Sequence, residues 1–180
     1  MSFLVSLLVV TARALAQGYV NFSNYAPPDL NAPMIYADPD HGFEYRLDGR
    51  CLAQLYAGDD DAGWSLAPVG TAVAFRNGQG AGYFTGGVVT IPFLAPQNGG
   101  YFQVRMWAAS GGPTYETAVA SGQPFGTSNV FHLAVLGGPL PGLPVDLVGL
   151  QSSGIFLISE PSPLALAVVG VAALGWGRRR

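Results

Sequence analysis

Tyr101-Phe102-Gln103-Val104-Arg105-Met106-Trp107 decides the fold class. Phe102, Val104 and Met106 fall at every second position, with Tyr101, Gln103, Arg105 and Trp107 between them. Successive side chains of an extended chain point to opposite sides, so a period of two makes this a strand with one apolar face. The other face mixes aromatic and polar groups. It suits a polysaccharide, whose sugar faces stack on exposed rings, and equally a second packed layer or a cross-strand ladder. Similar alternation recurs at 19–22, 51–57, 71–76, 81–84, 88–91, 130–135 and 155–158, punctuated by glycine and proline. Eight short strands at this spacing predict an all-β domain, specifically a single antiparallel β-sandwich of jelly-roll or immunoglobulin-like type. The one helical signal, 115–121 (YETAVAS), is ended by Gly122 and is too short to build a layer.

Composition narrows the chemistry. The 180 residues allow one domain; 49% are hydrophobic and 11% charged, and every basic residue is arginine. Without lysine there is no Walker-type phosphate loop and no Schiff-base lysine, and a single cysteine excludes an internal disulfide framework or a thiolate zinc cage. Within 17–158, four arginines face ten carboxylates, a net charge of −6 that argues against nucleic acid as a partner.

The two ends read as targeting segments. Phe3 to Val10 (FLVSLLVV) is an apolar run of secretory length, and Ala14 and Ala16 supply the small-residue pattern that signal peptidase accepts. Residues 1–16 are therefore expected to be a signal peptide cleaved before Gln17, the alternative being a buried first strand. Arg13 follows the run instead of preceding it, a departure that a start further upstream explains. Pro163 to Gly177 carries no charge and is followed by Arg178-Arg179-Arg180. As a helix it reaches roughly 22 Å, short of a ~30 Å hydrocarbon core, and the arginines hold that end on the cytoplasmic side.

Ser159-Glu160-Pro161-Ser162, the apolar stretch 163–177 and the arginine cluster together resemble the PEP-CTERM sorting tail of exported bacterial proteins, also called the ice-binding protein C-terminal domain. Glu160 and Pro161 match the motif, while Ser159 stands where it has a first proline. The resemblance implies export across the cytoplasmic membrane, a transient anchor through the 163–177 helix, and processing by an exosortase after signal peptidase. An ordinary membrane anchor is the competing reading of the tail. Segments of the body, Leu52-Ala53-Gln54-Leu55-Tyr56-Ala57-Gly58 and Gly126-Thr127-Ser128-Asn129-Val130-Phe131 among them, are similar to uncharacterised exported bacterial proteins, which implies one unit over 17–158 and no particular activity.

Candidate sites within that unit are few. No nucleophile motif or H-E-x-x-H is present; Glu44 and Glu116 are the carboxylates a glycosidase pair would need, and a surface location of both is the favoured reading. Asp38-Pro39-Asp40-His41-Gly42 and Asp59-Asp60-Asp61 offer oxygen ligands without EF-hand spacing, and solvated loops account for the same residues. His41 and His132 lack a third metal ligand; Cys51, on one face with Ala53 and Leu55, is expected to be a buried thiol. Tyr101, Arg105 and Trp107 are the candidate glycan contacts. The expectation is an exported, non-catalytic envelope or extracellular-matrix protein with a structural or adhesive role and no cofactor or metal. The rival is a carbohydrate-binding or carbohydrate-processing domain acting on exopolysaccharide.

Overall fold

The computed structural model describes residues 17–38, 43–138 and 142–156. The strands, in chain order, are β1 (Gly18–Ser23), β2 (Tyr25–Ala26), β3 (Leu30–Asn31), β4 (Ile35–Asp38), β5 (Phe43–Arg46), β6 (Cys51–Gly58), β7 (Ala67–Ala74), β8 (Thr85–Ile91), β9 (Gly100–Ala108), β10 (Phe125–Thr127), β11 (Phe131–Leu133), β12 (Val145–Asp146) and β13 (Gly154–Phe156). One α-helix, α1 (Tyr115–Ala120), joins them among the described residues. The protein is all-β. Its larger sheet runs β5-β4-β13-β10-β9-β6-β7 with β11 also on β9; a second sheet runs β12-β1-β8, and β2 and β3 form a small pair.

The deciding segment is the centre of the larger sheet. β9 pairs with β6 continuously, from Cys51 opposite Ala108 to Gly58 opposite Tyr101. Its other edge is divided: β10 sets Phe125 opposite Trp107, and β11 sets Phe131 opposite Phe102. Phe102, Val104 and Met106 have no exposed surface, as their spacing predicts. They join Ala53 and Leu55 of β6, Val20 and Phe22 of β1, and Val89 and Ile91 of β8 in one core cluster. Both sheets thus bury their apolar faces in a common core.

Several expectations are corrected. The sheets are not purely antiparallel, because β1–β12 and β4–β13 pair in parallel. Strands so distant in sequence are joined by no tight turn, and only a tight turn forces the antiparallel direction. Residues 81–84 form a junction instead of a strand: Gly82, at φ 85°, donates to the Leu47 carbonyl at 2.6 Å and accepts from the Met34 amide at 2.9 Å. The strand expected at 71–76 begins earlier, at Ala67. Pro68 is tolerated there because β7 is the sheet's edge, where a missing amide breaks no ladder. Gly70, at φ 65°, lets β7 bulge between Val69 and Val73, which face Leu55 and Ala53. Within the acidic stretch, β4 and β5 form an unanticipated hairpin with Tyr36 opposite Tyr45.

The targeting segments, with Ala14, Ala16, Glu160, Pro161 and Arg178 to Arg180, lie outside the described residues; Gln17 is exposed just before β1.

Candidate functional site

The mixed face of β9 is covered. Thr114 caps α1 by accepting from the Thr117 amide at 3.2 Å, and Thr117 returns the bond to the Thr114 amide, a reciprocal capping box. The helix brings Tyr115 edge-on to Tyr56 (6.4 Å), Trp107 (6.4 Å) and Phe125 (5.6 Å). Trp107 is completely buried, and its Nε1–H donates to the Gly112 carbonyl at 3.0 Å. A ring must present a free face to stack on a sugar. Trp107 has none, so the expected glycan contact at this position is corrected to a packing role.

Arg105 serves the same layer. Its guanidinium carbon lies 3.9 Å from the centre of the Tyr56 ring and 5.2 Å from that of Tyr115, a cation held between two aromatic faces. Its Nε donates to Gln103 Oε1 at 3.1 Å and its Nη2 to the Gly63 carbonyl at 2.7 Å, while Nη1 sits 3.7 Å from Glu116 Oε1. With 14% of its side chain exposed, it ties β6, β9, α1 and the loop before β7 together. Of the expected row only Tyr101 keeps a partly open ring, and it lies against His132 at 4.8 Å.

Glu116, one half of the supposed glycosidase pair, is committed to this network. The Tyr56 hydroxyl donates to its Oε1 at 2.7 Å. Partial burial alone would raise the carboxyl, but the Tyr56 bond, backbone and Thr114 contacts and the Arg105 charge together hold it below the usual glutamate range. Burial, with the neighbouring Glu116 second, pushes the Tyr56 hydroxyl up and keeps it a donor. A carboxyl depressed in the folded state adds stability that is fully present above the ordinary pKa of about 4.3 and is lost as pH falls through the lower folded value. Because Glu116 is 59% exposed, that contribution is under about 1 kcal/mol. Chemical denaturation between pH 6 and pH 3 should therefore show a shallower acid loss for Glu116→Gln than for the parent. An unchanged slope would remove Glu116 from the acid response. The side chain of Glu44 lies outside the described residues.

The remaining candidates separate cleanly. Asp60 is used locally: it accepts from the Ser65 hydroxyl at 2.5 Å and the Ala62 amide at 2.8 Å, bonds that hold it below the usual aspartate range. These bonds fix the loop carrying Trp64, whose ring is 88% exposed. His132 is a surface residue of β11, while 39–42, His41 included, lie outside the described residues. Cys51 is buried as expected, and burial pushes its thiol up to about 11, so it offers no thiolate at neutral pH.

The structure also forms a cleft that the sequence did not disclose. It lies between the β4–β5 hairpin and the paired ends of β6 and β9, with a volume of about 610 Å³. Tyr36, Tyr45 and Arg46 line it from the hairpin; Asp48, Arg50 and Cys51 line it from the approach to β6. Leu47, Ala108, Pro124 and Ile155 supply apolar wall. At the rim Arg50 grips Asp48 through Nε at 3.0 and 3.1 Å and Nη2 at 2.9 Å, a pair whose arginine is 90% exposed. The cleft depends on the hairpin, and the charges of the acidic stretch hid the hairpin's alternation.

Neither protein-family models, nor curated proteins, nor solved structures yield a match to this chain.

Proposed function

We propose that the chain is an exported, non-catalytic protein of the cell envelope or extracellular matrix, sorted through a PEP-CTERM-like tail and serving a structural or adhesive role. One observation carries this: Ser159-Glu160-Pro161-Ser162, the uncharged 163–177 and Arg178-Arg179-Arg180 stand in the order that such a sorting signal requires. A 15-residue apolar stretch is a marginal permanent span and an adequate transient one. The body is proposed to be a β-sandwich, a reading supported by the core cluster drawn from both larger sheets. Its structural role is favoured over carbohydrate binding by the burial of Trp107, which removes the stacked-ring row from the surface.

Proline lacks a backbone N–H and restricts the residue before it to extended conformations, so 159–163, with prolines at 161 and 163, suits a non-helical, enzyme-accessible strip. Mass spectrometry of the protein from its native host is expected to find Gln17 at the start and an end close to residue 160. Recovery of the intact Arg178-Arg179-Arg180 end from most of the membrane fraction, in a host possessing an exosortase, would overturn the sorting claim.

A further inference from the structure

Six asparagines occur in the chain, and only Asn77 and Asn98 are followed by glycine. In that dipeptide no side chain shields the glycine nitrogen, which can approach the asparagine side-chain carbonyl carbon and close a five-membered ring. Folding decides whether the two groups meet, and it treats the two pairs differently.

Asn77 and Gly78 are both exposed, at the start of the turn Gly78–Gly80 between β7 and β8. The Gly49 amide donates to Asn77 Oδ1 at 2.9 Å, so a backbone N–H already sits on the oxygen that becomes negative when the side-chain carbonyl is attacked. Asn77 Nδ2, the group that must leave, and the Gly78 amide, the group that must attack, have no hydrogen-bond partner among the described residues. Asn77 is extended, at φ −97° and ψ 166°, and ring closure turns its Cα–C bond. Little resists that rotation. Nothing lies within 4 Å of where a Gly78 side chain would begin, and the Asn77 carbonyl accepts one bond in the turn, from Gly80 at 3.2 Å.

Asn98 is exposed too, but its glycine is not. Gly99 is buried, and a Cβ there would fall against the Leu133 and Ala134 carbonyl oxygens. Asn98 itself closes the turn Pro96–Asn98 by donating to the Ala95 carbonyl at 3.1 Å. Rotating this pair would drive enclosed backbone into the end of β11.

We propose that Asn77 is a site of spontaneous deamidation, selected over Asn98 by the fold. The Gly78 nitrogen attacks Asn77 Cγ and forms the N–C bond of a succinimide. The Cγ–Nδ2 bond breaks, and the amide leaves as ammonia with the proton that the Gly78 amide gives up through solvent. Water then opens the ring at either carbonyl, leaving aspartate or isoaspartate. Both products place a negative charge beside the turn that carries Asp48 and Gly49. Isoaspartate also lengthens the main chain by a methylene next to Arg76, whose amide donates to the Tyr83 carbonyl at 2.8 Å. No enzyme is required, so a long-lived copy of the protein carries the change as a record of its age.

Holding the folded full chain at 37 °C and mildly alkaline pH, and following each asparagine by peptide mass spectrometry, tests this. Asn77 is expected to convert at least about tenfold faster than Asn98, a barrier difference of about 1.4 kcal/mol. In urea the two should convert at similar rates, because the difference belongs to the fold. Isoaspartate should appear beside aspartate at 77, since direct hydrolysis of the side chain gives aspartate alone. Asn77→Gln should keep its amide over the same time, because its ring would have six members. Equal rates at 77 and 98 in the folded chain, reaction at 77 in urea alone, aspartate without isoaspartate, or equally fast amide loss by Asn77→Gln would each overturn the proposal.

Discussion

Asn24→Leu is expected to cost much of the protein's folding stability. Asn24 has no exposed surface, and its side chain bonds to two other stretches of backbone, at 32 and at 82–84. Its Nδ2 donates to the carbonyls of Ala32 and Gly82, each at 2.8 Å, and its Oδ1 accepts from the Phe84 amide at 2.8 Å. Its own carbonyl accepts from the Ala32 amide at 3.0 Å. Leucine has nearly the same size and none of the polar atoms, leaving two carbonyls and an amide buried without those partners. The Gly82 carbonyl keeps the Met34 amide at 2.9 Å, so two groups, the Ala32 carbonyl and the Phe84 amide, lose their partner; at about 1–3 kcal/mol each they cost about 2–6 kcal/mol. Typical domain stabilities are only about 5–15 kcal/mol. Asn24→Asp separates hydrogen bonding from shape: the carboxylate still accepts from Phe84 but cannot donate to Ala32 or Gly82, and it buries a charge. Urea denaturation should place both variants far below the parent, with the aspartate variant recovering partly at low pH as its carboxyl gains a proton to donate. An aspartate variant within about 1 kcal/mol of the parent at pH 7 would show that these bonds do not hold the junction.

Asn24 also marks where sequence reasoning stops. Strands with strong period-two alternation announce themselves: Phe102, Val104 and Met106 on β9, and Cys51, Ala53 and Leu55 on β6, lie where their spacing predicts. Such strands are long and bury one face completely, so the pattern is imposed by the core. A buried asparagine bonded to residues 8, 58 and 60 positions away leaves no such periodic trace. The β4–β5 hairpin escaped for another reason. Its strands are only four residues each, and β5 is the edge of the sheet, where charged residues are tolerated, so Asp38, Glu44 and Arg46 mask the alternation. The cleft was lost with the hairpin. Parallel pairing of β13 with β4 likewise depends on strands far apart in sequence, about which local patterns are silent. For the mixed face of β9 the sequence admitted both an open sugar platform and a packed layer, and six residues of α1 decide between them.

That decision makes the second large effect specific. Trp107→Ala should destabilise the protein by about 3–5 kcal/mol, the range for emptying a buried aromatic site. The site is completely enclosed between β9, β10 and α1, so it cannot fill with water without loosening the helix. The loss also removes the Nε1 bond to the Gly112 carbonyl. In a domain of this size, such a change lowers Tm by about 10 °C or more. Trp107→Phe keeps most of the ring contact and loses the donor, so it should cost about 1 kcal/mol for the missing bond in addition to a smaller cavity. Tyr101→Ala, separated from Arg105 on the same face by Gln103 alone, changes a partly exposed ring and should cost far less than Trp107→Ala. Thermal unfolding of the three variants therefore ranks Trp107→Ala well below Trp107→Phe, with Tyr101→Ala closest to the parent. A sugar-binding tryptophan would behave in the opposite way, since surface rings are removed with little loss of stability. A Trp107→Ala variant melting within about 2 °C of the parent would mean that α1 does not cover this face, and would return Trp107 to the surface as a ligand contact.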